Sequence, residues 1–163
     1  MRVLGIDPGT ATTGFGVVEG QGNRLLHQAH GVISTPAKTP FADRLCLLYD
    51  GVCELLDVHK PDAVSIEKLY FSQNVTTGIG VAQARGVIAL AVAQAGLPIA
   101  EFSPLEVKNA VVGYGKAAKG QVQDMVRILL NLDARPKPDD AADGLALAIC
   151  LIHAGRIRLA LGE

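Results

Sequence analysis

The sequence predicts an α/β fold in which helices flank one five-stranded mixed sheet. Three strand-like stretches joined by short turns open the chain, and short turns join antiparallel neighbours. Helical and strand-like stretches then alternate, which favours parallel pairing through right-handed crossovers. A chain of 163 residues is long enough for one domain and too short for two ordinary ones. We therefore expect a single domain over residues 1–163.

The first three strands are indicated by apolar runs between glycine-bearing turns. Arg2–Asp7 is apolar without alternation, which is typical of a strand covered on both faces. It ends in Asp7, although an uncompensated carboxylate is costly against an apolar core. Asp7 therefore either faces water at the mouth of the strand or holds a cation. The second and third strands are expected at Thr13–Glu19 and Leu25–Ser34.

The middle of the chain alternates helix and strand. Phe41–His59 has a helical period of apolar residues, and a proline follows it. Asp62–Glu67 is the expected fourth strand, and Asn74–Gly96 predicts a long helix rich in Ala and Gly. Each glycine costs about 1 kcal/mol inside a helix, so the three glycines within this one suggest that another backbone approaches closely.

A fifth strand and three helices are expected after Gly96. Pro98–Phe102 is the strand. Ser103 and Glu106 form a capping box with a proline at the first helical position, so a helix begins there. A second helix is expected from near Lys119 to about Leu132, and a third follows Pro138.

The composition limits the class of protein. Apolar residues make up 49% of the chain and charged residues 19%, which excludes disordered and collagen-like proteins. The longest uncharged apolar stretches are far below the roughly 18 residues that span a bilayer, so we expect a cytoplasmic protein without membrane contact. Soon after the last helix the sequence ends, and we expect no long flexible tail.

The three cysteines lack CxxC spacing and indicate neither a disulfide framework nor a zinc site. We expect Cys46 and Cys53, which are seven residues apart on one helix face, to be buried small apolar residues. His153 belongs to no metal-ligand pattern, and we assign it a structural role.

Positive charge is concentrated in one segment, although the net charge of the chain is −1. Residues 103–137 carry six Lys or Arg against three Asp or Glu, whereas the segments on either side are each net negative. Because binding of polyanions depends on a local patch more than on the total charge, the sequence remains compatible with nucleic-acid binding.

Acidic residues end two strands and begin one helix. If the fourth strand lies parallel to the first and beside it, Glu67 and Asp7 lie about 4.8 Å apart at one edge of the sheet. Two like charges at that separation raise each other's pKa unless a cation lies between them. Asp139, Asp140 and Asp143 share a face in the first turns of the last helix. Acids at a helix N-terminus also complement the helix dipole, so each acid alone has a structural explanation.

Taken together, the acids indicate a divalent metal site. Mg²⁺ prefers a few carboxylates together with water and substrate phosphate oxygens. Two such ions about 3.5–4 Å apart activate water on one side of a phosphodiester and stabilise the leaving oxygen on the other.

Five motifs in order resemble the RuvC family of bacterial Holliday junction resolvases, and the resemblance covers nearly the whole chain. They are "GIDPGTATTGFGVV", "IEKLYF", "QARG", "VKNAVVGYGKAAKGQV" and "DDAADGLALA". The resemblance implies an RNase H-like fold. It also implies a Mg²⁺-dependent endonuclease that makes paired symmetric nicks in four-way DNA junctions during recombination and repair. Mn²⁺ is expected to substitute for Mg²⁺.

The resemblance also implies roles for individual residues. The four metal-binding and catalytic acids match Asp7, Glu67, Asp140 and Asp143, and two metal ions per subunit are expected; Asp139 falls outside the family's pattern. Tyr70 matches an aromatic residue that stacks on unpaired bases, although it has an alternative role as a cover for the end of the sheet. Lys108 and Lys119 match lysines that contact DNA phosphate, with Lys116 and Arg127 as extensions of the patch; a solvated lysine is the alternative for each.

Protein partners are implied in the same way. The Gly- and Ala-rich helix resembles the dimerisation helix of the family, and a junction with two-fold symmetry calls for a two-fold homodimer. The alternative is a helix packed tightly on its own sheet. Arg85 in "QARG" is placed to contact the partner subunit, the DNA or an acid. The family also implies an interaction with the RuvAB branch-migration complex.

Two other classes of protein are alternatives to a nuclease. The segment from Asp7 to Gly14 also fits the phosphate loop of ATPases and sugar kinases of the actin/Hsp70 type. Those proteins hold nucleotide between two related domains, which 163 residues do not supply. A non-catalytic binding module of the same fold would lack one of the four acids, and all four are present.

Overall fold

A computed structural model describes residues 1–69 and 75–161 of the chain. Within these ranges five strands and five helices follow one another. The strands are β1 (Arg2–Asp7), β2 (Thr12–Gln21), β3 (Arg24–Ser34), β4 (Ala63–Glu67) and β5 (Ile99–Phe102). The helices are α1 (Phe41–His59), α2 (Val75–Gln94), α3 (Pro104–Val111), α4 (Lys119–Leu129) and α5 (Asp139–Leu161).

The strands form one mixed sheet in the order β3-β2-β1-β4-β5. β1, β2 and β3 pair antiparallel through their short turns, whereas β4 pairs parallel with β1 and β5 pairs parallel with β4. The predicted α/β fold with a five-stranded mixed sheet is confirmed. The capping box at the start of α3 is also present, because the Ser103 side chain accepts from the backbone of Glu106 while the Glu106 side chain accepts from the backbone of Ser103.

The sheet is covered on both faces, and alternate residues of β1 point to opposite layers. Leu4 and Ile6 pack in a buried cluster with α1 and α2. Val3 packs in a second buried cluster with α3, α4 and α5. Since side chains alternate along a strand, Gly5 and Asp7 lie on the α5 face with Val3. Both layers around β1 are apolar, as its unbroken apolar run predicts.

Glycines bring the backbone of α5 unusually close to the sheet. A β-carbon on Gly5 would lie 2.0 Å from the Gly144 carbonyl oxygen, and one on Gly16 would lie 2.4 Å from the Leu145 nitrogen. A β-carbon on Gly144 would in turn lie 2.6 Å from the Phe15 carbonyl carbon. Such distances leave no room for a side chain, so helix and strands meet backbone to backbone.

The close approach expected at the glycines of α2 is not made at Gly80 or Gly86 within the single chain, and the expected burial of Cys46 and Cys53 was wrong. Within the single chain α2 has no backbone against Gly86, where a β-carbon would meet no described atom within 4 Å, and at Gly80 the nearest atom belongs to the Thr10 side chain. Cys46 is exposed and Cys53 is half-buried, because the buried stripe of α1 runs through other positions, among them Leu48 and Val52. No helix in the described ranges is long and apolar enough to cross a membrane.

Candidate active site

The ends of β1 and β4 place two carboxylates side by side. Ile6 is paired with Ile66 in the parallel register, so the next residues, Asp7 and Glu67, leave the sheet at the same edge. Val64 and Ile66 pack in the α1–α2 layer, which turns Glu67 to the opposite layer with Asp7. Both carboxylates therefore lie on the side of the sheet that α5 covers.

The first turns of α5 add two more carboxylates. Asp7, Asp140 and Asp143 each offer an oxygen within 4.8 Å of the others. Gly14, which pairs with Asp7 across β1 and β2, makes this approach possible, since a β-carbon there would lie 1.9 Å from the Asp140 carbonyl oxygen. Glu67 lies outside this three-residue group but within hydrogen-bonding reach of the Asp7 carboxyl.

The pKa values of Asp7, Glu67 and Asp143 are raised, chiefly by burial. Burial, followed by the charges of Glu67 and Asp143, raises the pKa of Asp7 to about 9. Burial likewise raises the pKa of Glu67 and of Asp143, and in both cases the positive charge of Lys119 acts in the opposite direction. Three half-buried carboxyls whose pKa values are raised form a site where a cation would relieve the repulsion.

A cavity of about 260 Å³ opens beside the carboxylates. Its lining includes the carboxylates of Asp7, Glu67 and Asp143 together with Lys108 and Lys119. The Lys119 ammonium lies 3.6 Å from a carboxylate oxygen of Asp143. The cavity thus combines ligands for a hard divalent cation with two cations suited to a phosphate group.

The comparison with known families matches this geometry. The family model described as "Crossover junction endodeoxyribonuclease RuvC" matches residues 3–151, which include all four acids and both cavity lysines. This chain belongs to the RuvC family. The family consists of metal-dependent nucleases.

Alignments with individual RuvC relatives cover almost the whole of this chain. The crossover junction endodeoxyribonuclease RuvC of Heliobacterium modesticaldum is 54% identical over 153 residues, which are 94% of each chain. The RuvC structure of Thermus thermophilus superposes with a TM-score of 0.89 at 35% identity, and 96% of each chain is covered. The same protein in complex with its Holliday junction substrate gives a TM-score of 0.92 at 34% identity over the same shares.

Arg85 lies next to this RuvC site. The sequence allowed three kinds of contact for its side chain: with a partner subunit, with DNA or with an acid. Its guanidinium pairs with Glu101 of β5, and its Nε donates to the Glu67 carbonyl oxygen at 3.3 Å. Within the single chain, the contact with an acid is the one that forms. Arg85 therefore ties α2 to the ends of β4 and β5 directly behind the Glu67 carboxylate.

The other predicted residues lie at varying distances from the cavity. Tyr70 lies outside the described residues. Lys116 is exposed on the loop between α3 and α4 and is not part of the cavity lining. His153 lies with Nδ1 3.0 Å from the Ala110 carbonyl oxygen and joins α5 to α3, in keeping with the structural role assigned to it.

Sequence reasoning missed the glycines that allow the site to form. These glycines lie within regular elements: Gly5 in β1, Gly14 and Gly16 in β2, and Gly144 in α5. Glycine inside a strand weakens it and often marks a close approach of another backbone, so the signal was present in "GIDPGTATTGFGVV". The sequence alone does not name the element that approaches.

Proposed function

We propose that this RuvC-family chain is a structure-selective endonuclease that resolves four-way DNA junctions by paired symmetric nicks. The observation that carries the proposal is one cavity in which clustered carboxylates face two lysines. Carboxylates hold the metal that phosphodiester hydrolysis uses, and lysines hold the phosphate. We place the activity in recombination and repair, as a single RNase H-like domain over residues 1–163 in the cytoplasm.

The donor set fits Mg²⁺, with Mn²⁺ as a substitute. All four side chains are carboxylates, which hard divalent cations prefer, and three of them offer oxygens within 4.8 Å of one another. We assign Asp7, Glu67, Asp140 and Asp143 as ligands and catalytic residues, with two ions per subunit. When bound, the ions activate a water molecule and stabilise the leaving oxygen.

The chain's own residues bind and orient the DNA strand. Lys108 and Lys119 are the proposed phosphate contacts at the cavity, and Lys116 extends the contact along the exposed loop. An incoming phosphate competes with Asp143 for the Lys119 ammonium, which frees a carboxylate for metal binding. Hydrolysis breaks the bond from phosphorus to the 3′ oxygen and leaves a 5′-phosphate and a 3′-hydroxyl. Tyr70 is the proposed stacking residue for an unpaired base.

The proposed homodimer joins through α2. Ile79 and Leu90 on this helix are half exposed, and Gly86 faces open space in the single chain, so a second copy of α2 has room to approach. A two-fold dimer presents two cavities to the two opposing strands of a junction. We also propose that the RuvAB branch-migration complex delivers the junction.

Substrate selectivity tests the proposal. A labelled four-way junction and a linear duplex of the same sequence are incubated with the protein and Mg²⁺, and the products are separated by size. We expect symmetric nicks in two opposing strands of the junction, with the duplex intact. Equal cleavage of both substrates, or cleavage of neither with Mg²⁺ or Mn²⁺, would contradict the proposal.

A further inference from the structure

A tight turn carries an exposed aromatic ring between the two cavity lysines. The loop from Val112 to Ala118 connects α3, which bears Lys108, to α4, which begins at Lys119. Within it the Tyr114 carbonyl oxygen accepts a hydrogen bond from the Ala117 N–H at 3.4 Å, while Ala117 itself is buried. Tyr114 is 48% exposed, so much of its ring is accessible to a partner.

The Tyr114 ring is held in place rather than free to rotate. Its hydroxyl donates to the Gln121 side-chain oxygen at 3.0 Å. The same oxygen accepts from the Ala118 backbone N–H at 2.7 Å, so the first turn of α4 fixes the outer edge of the ring. An aromatic group that is already ordered loses little conformational entropy when it binds a flat partner.

The surroundings of the ring combine apolar surface with positive charge. Leu105 is 57% exposed and fills the space next to Gly115, where a β-carbon would lie 2.0 Å from its Cδ1 atom. Lys116 is exposed within the same turn. Lys108 and Lys119 line the adjoining cavity. In the sequence the two cavity lysines thus flank the loop that carries Tyr114 and Lys116, and an aromatic ring next to lysines is typical of surfaces that stack on bases while lysines hold the backbone.

We propose that Tyr114 stacks on a base exposed at the branch point of the junction and so distinguishes junction from duplex. A continuous duplex keeps its base faces covered by neighbouring pairs, whereas strands that part at a branch expose them. The ring would therefore favour junction binding while the lysines bind either substrate. This inference rests on the proposed function, since it assigns a second base contact to the same site.

The competing role for Tyr114 is to hold the N-terminus of α4 through Gln121, and paired variants separate the two. Tyr114→Phe keeps the ring and loses the hydrogen bond, whereas Tyr114→Leu loses the ring. Tyr49→Leu is the matched control, because Tyr49 is also bonded to a glutamine, Gln94, but lines a different cavity between α1 and α2.

The experiment measures junction affinity in Ca²⁺ or without metal, together with the fluorescence of 2-aminopurine placed at the branch point. Stacking on one base predicts that Tyr114→Leu binds the junction about 5- to 150-fold more weakly and loses the fluorescence quenching seen with wild type. Tyr114→Phe and Tyr49→Leu should bind within about twofold of wild type, and duplex affinity should change little. Thermal unfolding of each variant confirms that it is folded.

Two outcomes would overturn the inference. Wild-type junction affinity in Tyr114→Leu would exclude a base contact, and equal weakening in Tyr114→Phe and Tyr114→Leu would assign the effect to the Gln121 bond. If wild type cleaves junctions while Tyr114→Leu behaves as wild type, only this inference fails. If wild type cleaves no junction, the proposed function fails first.

Discussion

At the scale of single residues, Asp7 explains why an apolar strand ends in a carboxylate. The residue leaves the sheet on the face that α5 covers, within 4.8 Å of carboxylate oxygens from Asp140 and Asp143. Burial and the neighbouring charges raise its pKa to about 9. Without a cation, the folded chain therefore retains a proton that the unfolded chain releases near pH 3.8.

This proton makes the stability of the metal-free protein depend on pH. Between pH 3.8 and about 9 the folded state binds more protons than the unfolded state, so the free energy of unfolding falls as pH rises through that window. Asp7→Asn removes the cost of keeping this carboxyl protonated in the folded state and should raise the free energy of unfolding near neutral pH by about 1–3 kcal/mol. Chemical denaturation at several pH values measures both effects.

Addition of Mg²⁺ should reverse the order of stability of wild type and Asp7→Asn. Mg²⁺ should raise the melting temperature of wild type, because it binds the folded state, and should have little effect on Asp7→Asn. Asp57→Asn is a suitable control, since Asp57 is exposed on α1 and forms only a surface ion pair with Lys60. A metal-free Asp7→Asn protein less stable than wild type would show that the Asp7 charge is compensated within the chain.

Lys119 should contribute to DNA affinity through a phosphate contact. Each phosphate neutralised adds about 0.9 to the slope of log affinity against log salt concentration on duplex DNA. Lys119→Ala should therefore weaken junction binding and lower that slope by about one, as measured by fluorescence anisotropy across a salt series. Lys60→Ala, at the residue that follows α1, should leave the slope unchanged. An unaltered slope in Lys119→Ala would rule out the phosphate contact.

At the scale of elements, α5 is the piece on which the site depends. Its first turns carry Asp140 and Asp143, and its backbone touches β1 and β2 through paired glycines. A helix usually packs about 8–10 Å from another helix and about as far from a sheet, because side chains lie between them. Here the missing side chains allow the helix closer, which brings its acids to the level of Asp7.

Gly144→Ala should test that dependence. The new β-carbon would lie 2.6 Å from the Phe15 carbonyl carbon, so α5 has to move away from the sheet. We expect loss of about 1–3 kcal/mol in the free energy of unfolding and at least tenfold weaker metal binding by calorimetry.

Gly155→Ala on the same helix is the control. Among the described atoms, the nearest to a β-carbon there is the Met1 methyl at an ordinary 3.6 Å, so the variant should be as stable as wild type or slightly more stable. If Gly144→Ala binds metal as tightly as wild type does, the close approach of α5 is not what assembles the carboxylates.

Most elements could be predicted because their signals are local. The apolar period of α1 gave both of its ends, and the capping box at Ser103 gave the start of α3. The glycines of α2 predicted a close approach that the single chain does not make at Gly80 or Gly86, because a glycine marks a close approach without naming the partner. Cys46 was misplaced because helical spacing groups residues on a face but does not say whether that face meets the sheet.

At the scale of the whole molecule, the sheet order brings together acids that are far apart in sequence. Parallel pairing of β1 and β4 was predicted from the intervening helix, which placed Glu67 beside Asp7. Local sequence patterns could not predict that α5 lies over the same strand ends, because this placement depends on contacts between the first and last parts of the chain. The family resemblance supplied the grouping of the four acids, and the structure supplies its physical basis in Gly14 and Gly144.

The proposed dimer belongs to this scale as well. Leu90→Glu places a charge on the exposed face of α2, which should shift the protein from dimer to monomer in sedimentation and reduce paired nicks to single ones. Val58→Glu is the control, because Val58 is exposed on α1, away from that face. A dimer that survives Leu90→Glu would place the interface elsewhere, and a monomeric wild-type protein would contradict the proposed dimer.

The most direct measurement compares Mg²⁺-dependent junction cleavage by four variants, with junction binding followed in the same samples. The variants are Asp7→Asn, Glu67→Gln, Asp140→Asn and Asp143→Asn. Because the metal site supplies several kcal/mol of transition-state stabilisation, each should lose cleavage by about 1,000-fold or more while binding the junction. Asp139→Asn, next to the site but outside the cluster, should cleave as wild type does. Wild-type cleavage by any of the four would contradict the account.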